Sequence, residues 1–74
     1  MKKINLNISS MDARRIALNE AGVATGAFLK HKLLHENEGS LYELDFITNE
    51  MAYTCYVDAN DGEVLGFSYE PYAA

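Results

Sequence analysis

The chain has 74 residues, 49% of them hydrophobic, and a formal net charge of −5. This length makes one small domain with a modest core, and the apolar content excludes a disordered chain. No apolar run reaches the roughly 18 residues of a membrane-spanning helix, and the single cysteine, Cys55, excludes an internal disulfide.

The charge is unevenly placed. All six basic residues (Lys2, Lys3, Arg14, Arg15, Lys30, Lys32) lie in the first 32 positions, and from Leu33 onward there are nine acids with no Lys or Arg. Such an acidic half repels phosphate backbones, so nucleic acid is not an expected partner. The plain reading of the acids is a solvated sheet face that keeps the protein soluble. The sharper reading is a field that steers a basic partner.

Met1-Lys2-Lys3 is followed by polar Asn5, Asn7, Ser9 and Ser10 rather than an apolar core, so the opening does not read as a signal peptide. Lys3 to Ile8 alternates Ile4, Leu6 and Ile8 with polar residues, which suits a short edge strand or arm over residues 1–7. Ser9 to Ala21 reads as a helix. Ser9 and Asp12 have capping-box spacing, and Ala13, Ile16, Ala17 and Ala21 share one face. Gly22 supplies a left-handed cap. The small alanines allow close approach to a sheet.

Phe28 to His35 and Leu41 to Ile47 read as two strands joined by the polar loop Glu36-Asn37-Glu38-Gly39-Ser40. Residues opposite each other point to one side of a sheet. If Tyr42, Leu44 and Phe46 are buried, Leu29, His31 and Leu33 join them, and Lys30 and Lys32 stand beside Asp45 and Glu43 on the outer face. A two-residue loop at Asn49-Glu50, with Asn49 at positive φ, leads to a third strand from Ala52 to Ala59 that buries Tyr53, Cys55 and Val57. Asn60-Asp61-Gly62 is turn chemistry. A Gly62 bulge sets Val57 opposite Leu65 and turns Leu65, Phe67 and Tyr69 to the core; a four-residue loop would bury Val64 and Gly66 instead. The first choice buries more apolar area. The fourth strand runs from Glu63 to about Tyr69, Pro71 ends it, and residues 70–74 form a tail. The expected fold is α+β in two layers, a single domain over 1–74 with one N-terminal helix packed on a four-stranded antiparallel β-meander.

Three constellations invite chemistry. His31 and His35 lie four apart on a strand, so their Cα atoms are about 13 Å apart and cannot chelate one ion without further ligands. Cys55 and His31 are separated by an intervening strand, about 9–10 Å between backbones, whereas a nucleophile and its base need contact near 3 Å. Asp58 to Gly62 superficially resembles a calcium loop, but its Gly stands fifth rather than sixth, and Tyr69 stands where the pattern has its final Glu. Asp58 suits a local role, bonding turn amides. No residue is therefore assigned a catalytic, cofactor-binding or metal-ligating role. Tyr56 falls on the outer face with Thr54 and Tyr72 in the tail; an exposed Tyr suits a protein contact, whereas an amphipathic strand residue merely covers its neighbours.

Three stretches together resemble one family. Ile8-Ser9, Ala13, Ile16-Ala17-Leu18 and Ala21-Gly22-Val23 look like the opening helix of a PepSY domain. Gly39 with Leu41-Tyr42-Glu43-Leu44 looks like its second strand. Val57-Asp58-Ala59-Asn60-Asp61-Gly62-Glu63-Val64 is similar to its most recognisable segment, with Asp61 where the family often has Thr. PepSY domains occur in propeptides of thermolysin-type secreted metalloproteases and in bacterial envelope proteins. The resemblance implies a non-enzymatic module that regulates or inhibits a secreted or envelope peptidase, in an extracytoplasmic setting, with no catalytic residues to carry over. The alternative is a ligand-sensing or structural envelope domain without inhibitory activity.

Overall fold

The computed structural model describes residues 7–37 and 39–71. The strand expected over Lys3–Ile8 falls outside them except for its end, and Ile8 is not in a strand; Tyr72 and the rest of the tail also lie outside.

Helix α1 spans Ser10–Ala21 and is closed at both ends by local chemistry. The Ser9 hydroxyl accepts from the Asp12 N–H at 3.1 Å, and the Asp12 carboxylate accepts from the Ser9 N–H at 3.3 Å. This reciprocal cap satisfies two amides that the helix leaves without partners, and such a cap contributes about 1 kcal/mol. Gly22 takes the left-handed conformation at φ 74°. Its N–H returns to the Asn19 carbonyl at 3.1 Å, and that of Val23 to Leu18 at 3.1 Å. Ala13 and Ala17 are fully buried, so the helix meets the sheet through methyl groups.

The sheet consists of β1 (Ala27–Glu36), β2 (Gly39–Ile47), β3 (Met51–Asp58) and β4 (Val64–Pro71), antiparallel and in chain order, with α1 lying over β2, β3 and β4. This is the expected two-layer α+β meander. The β1–β2 register is also the expected one: His31 opposes Leu44, Leu33 opposes Tyr42, Lys30 opposes Asp45 and Lys32 opposes Glu43. The Lys30 ammonium reaches Glu43 at 3.5 Å and Asp45 at 3.9 Å. The core comprises Ala13 and Ala17 of the helix, Tyr42, Leu44, Phe46, Cys55 and Val57 of the sheet, and Ala59 of the last turn. Each large apolar side chain there contributes about 1.5–3 kcal/mol by leaving water.

Several expectations need correction. Leu29 does not join the core. A bulge between Phe28 and Lys30 pushes it out to 67% exposure, and Phe28 instead opposes Phe46 with ring centroids 4.8 Å apart. One inserted residue reverses the side a strand presents, and here it brings the larger aromatic surface inward. Leu65 is likewise not core. The β3–β4 connection is the four-residue Ala59–Gly62 loop, with the Asp58 N–H on the Glu63 carbonyl at 2.8 Å, and Val57 opposes Val64. The ladder then slips, Tyr56 opposes Gly66, and Leu65 becomes the extra residue at 50% exposure. Beyond the slip, Phe67 opposes Cys55 and Tyr69 opposes Tyr53, the expected pairing, but Tyr69 is not core: it lies beyond the helix's cover and is 64% exposed. The bulge reconciles the turn that Asp58 favours with an inward Phe67. Finally, Asn49 does not take positive φ. Its two-residue loop closes with the Thr48 N–H on the Met51 carbonyl at 2.9 Å, while the Thr48 hydroxyl accepts from the Met51 N–H at 3.3 Å. A side-chain acceptor replaces a backbone one, and the strained conformation is not required. Strand β4 also runs on through Glu70 to Pro71.

Candidate interaction surface

A row of aromatic side chains crosses the helix-side face at one level. Phe28, Phe46, Tyr53 and Tyr69 occupy directly paired positions on β1, β2, β3 and β4. Phe46 and Tyr53 stack at 5.0 Å, and Tyr53 and Tyr69 follow at 6.2 Å. Paired aromatics across strands stabilise a sheet beyond their buried area. Phe46 is fully buried, but the row ends in the open: Tyr69 on β4 is 64% exposed. Among the described residues β4 pairs only with β3, so its other side presents backbone donors and acceptors. It carries no Lys, while the bulge at Leu65 and Glu70 and Pro71 at its end limit pairing to the stretch between them. Leu65 and Tyr69 flank this edge as exposed apolar groups.

The middle of the opposite face is polar, with Leu34 and Leu41 toward one end and Ile47 and Ala52 toward the other. Lys30, Glu43 and Asp45 form the ion pairs described above, and the Tyr56 hydroxyl donates to Glu43 at 3.5 Å. The Tyr56 ring lies over Gly66, where an added Cβ would sit 3.2 Å from its Cδ2. Tyr56 is thus half-buried over a neighbour that has no side chain. Among the described residues Tyr69, not Tyr56, is the tyrosine most available to a partner.

His31 and His35 lie on β1, as expected, with separate partners. The Arg14 Nε–H donates to His31 Nδ1 at 3.0 Å, and the His31 ring meets the Tyr42 ring edge-on at 5.6 Å. Burial first, and the Arg14 charge second, lower the His31 pKa below its ordinary 6.5. His35 Nδ1 pairs with the Ser40 hydroxyl at 3.0 Å. Cys55 is fully buried, and burial together with nearby Glu20 pushes its thiol up to about 11. Such a thiol is protonated at neutral pH, while the thiolate is the nucleophile. Among the described residues no three His, Cys, Asp or Glu gather to hold a metal.

The segment from Asp58 to Gly62 acts as a joint. Asp58 Oδ1 accepts from the Asn60 N–H at 2.7 Å and the Asp61 N–H at 3.4 Å, and Asp61 Oδ1 accepts from the Glu63 N–H at 2.9 Å. Gly62 sits at φ 81°, and a Cβ there would meet Ile16 at 3.1 Å and Ile8 at 3.2 Å. Buried Ala59 gives its N–H to the Ser40 carbonyl at 2.9 Å and takes that of Ile8 at 3.1 Å. Each conspicuous residue of the motif therefore has a structural task. A family model, PepSY, described as "Peptidase propeptide and YPEB domain", matches residues 7–67. The chain belongs to the PepSY family. No curated protein and no solved structure matches it. PepSY domains are generally non-catalytic, propeptide-like modules and typically extracytoplasmic. No helix among the described residues of this PepSY domain is long and apolar enough to cross a membrane.

The exposed edge was not legible in the residues. Alternation places Leu65 and Tyr69 in the core, and Gly66 beside Leu65 is the one local sign of the bulge. Arg14 gave no signal either, because a helix residue meets β1 only in three dimensions.

Proposed function

We propose that this PepSY domain is a non-enzymatic interaction module that restrains a peptidase outside the cytoplasm. The supporting observation is the edge of β4, which pairs with no other strand but β3 among the described residues and is flanked by exposed Leu65 and Tyr69. An extended segment of a partner can add to such an edge, with main-chain hydrogen bonds giving affinity and the flanking side chains giving selectivity. The link to peptidases comes from the family. In the test, the domain is titrated into a secreted protease encoded beside it. Activity falls with dose, and Tyr69→Asp with Leu65→Asp weakens the inhibition roughly tenfold or more, the scale of a lost contact hot spot. Unchanged activity of every neighbouring protease at saturating domain refutes the reading.

A further inference from the structure

The helix does not close over β1, and the gap is a groove of about 310 Å³. Its apolar lining comes from Met11 and Leu18 of α1, Gly26 of the connector and Phe28 of β1, with Arg14 and Arg15 at the rim. Met11 is 65% exposed, an apolar side chain left facing water at the mouth. Arg15 is paired with Asp12 at 3.3 Å. Arg14 has no carboxylate partner among the described residues. Its Nε–H is held by His31, and its guanidinium carbon stands 5.0 Å from the Phe28 ring centre. These two contacts fix the planar group in place and leave its outer N–H donors without a protein acceptor among the described residues. A fixed guanidinium recognises a carboxylate by two parallel hydrogen bonds.

We propose that this groove binds the free C-terminal carboxylate of a peptide whose last residue is apolar. One residue of that kind meets both demands at once: its carboxylate engages Arg14, and its side chain, one bond away from the same Cα, lies against Phe28, Leu18 and Met11. An internal acid needs a second residue to fill the apolar floor. The net charge of −5 also opposes a segment rich in acids, which selects for a single carboxylate. A neighbouring depression shares Thr25 and Gly26 and continues past Ala27 to Thr48, giving room for the preceding residues of the peptide. The site does not rest on the peptidase reading, since it lies at β1 and the edge invoked there is β4.

The probes are N-acetyl-Ala-Ala-Leu with a free carboxylate, the same peptide as its C-terminal amide, and N-acetyl-Ala-Ala-Asp as its C-terminal amide. Each is titrated into the full chain, followed by amide and Arg14 Nε–H chemical shifts. The free acid shifts Thr25, Gly26 and Arg14, and binds roughly tenfold or more tightly than either amide, the loss expected for a charge-assisted hydrogen-bonded contact. Arg14→Gln abolishes that preference, and Arg14→Lys, which keeps the charge without the fork, retains part of it. Met11→Glu leaves the core untouched and weakens the free acid selectively. Equal binding of acid and amide, tighter binding of the Asp peptide, or no shift at Gly26 and Arg14 up to the solubility of the free acid overturns the assignment.

Discussion

On the face under α1, Tyr42, Leu44, Phe46, Cys55 and Val57 are buried against Ala13 and Ala17, while on the other face Lys30, Glu43, Asp45, Thr54 and Tyr56 take the alternate positions and none is buried. The same period of two generates both faces, but different forces hold them. The covered face draws on area removed from water, and its members cannot change without leaving a void. The open face draws on partly exposed ion pairs, each worth about 0–1 kcal/mol. Stability and register are thus concentrated on one side, and the other side and the edges remain available for contact.

The sharpest way to break this contrast is Leu44→Ala. The side chain is fully buried at the centre of the sheet, and its loss costs about 2–5 kcal/mol, a large share of the total for a domain this small; urea unfolding reads the loss directly. An intermediate effect belongs to His31, at the margin of the covered face, where Arg14 from α1 and Tyr42 from β2 face it. Its folded-state pKa is lowered, so folding favours the neutral ring. The stability this confers is complete above the ordinary value of 6.5 and is lost as pH falls from there through the folded-state pKa. The urea midpoint therefore drops between pH 7.5 and 5, and His31→Gln flattens that part of the profile. The smallest effect is on the open face. Lys30→Ala removes contacts to Glu43 and Asp45 and shifts stability by less than about 1 kcal/mol. A loss comparable to that of Leu44→Ala would mean that the open face is a second core.

Helix α1 was legible because its signals are local: Ser9, Asp12 and Gly22 each act within one turn. The β1–β2 register was legible because apolar and charged residues alternate in matching phase on both strands. Both bulges escaped, at Leu29 and at Leu65, because each extra residue is an ordinary apolar side chain whose exclusion is decided by neighbours that pack better, Phe28 on Phe46 and Phe67 opposite Cys55. The two fall on the two edge strands, where an irregular ladder also discourages indiscriminate pairing. The place of Arg14 was not legible, since nothing in its neighbours along the chain reports its contact with His31.

Ala59 joins three distant parts of the chain, binding Ser40 on one side and Ile8 on the other, while Asn60 beside it receives the Asn7 amide across 53 residues of sequence. Closing so long a loop is entropically slow and is rewarded only after both ends are ordered. The segment before the helix is therefore anchored directly to the final hairpin. Helix α1 lies over β2 and β3 as well as β4, so what the last turn adds is the set of bonds that ties down the residues just before the helix.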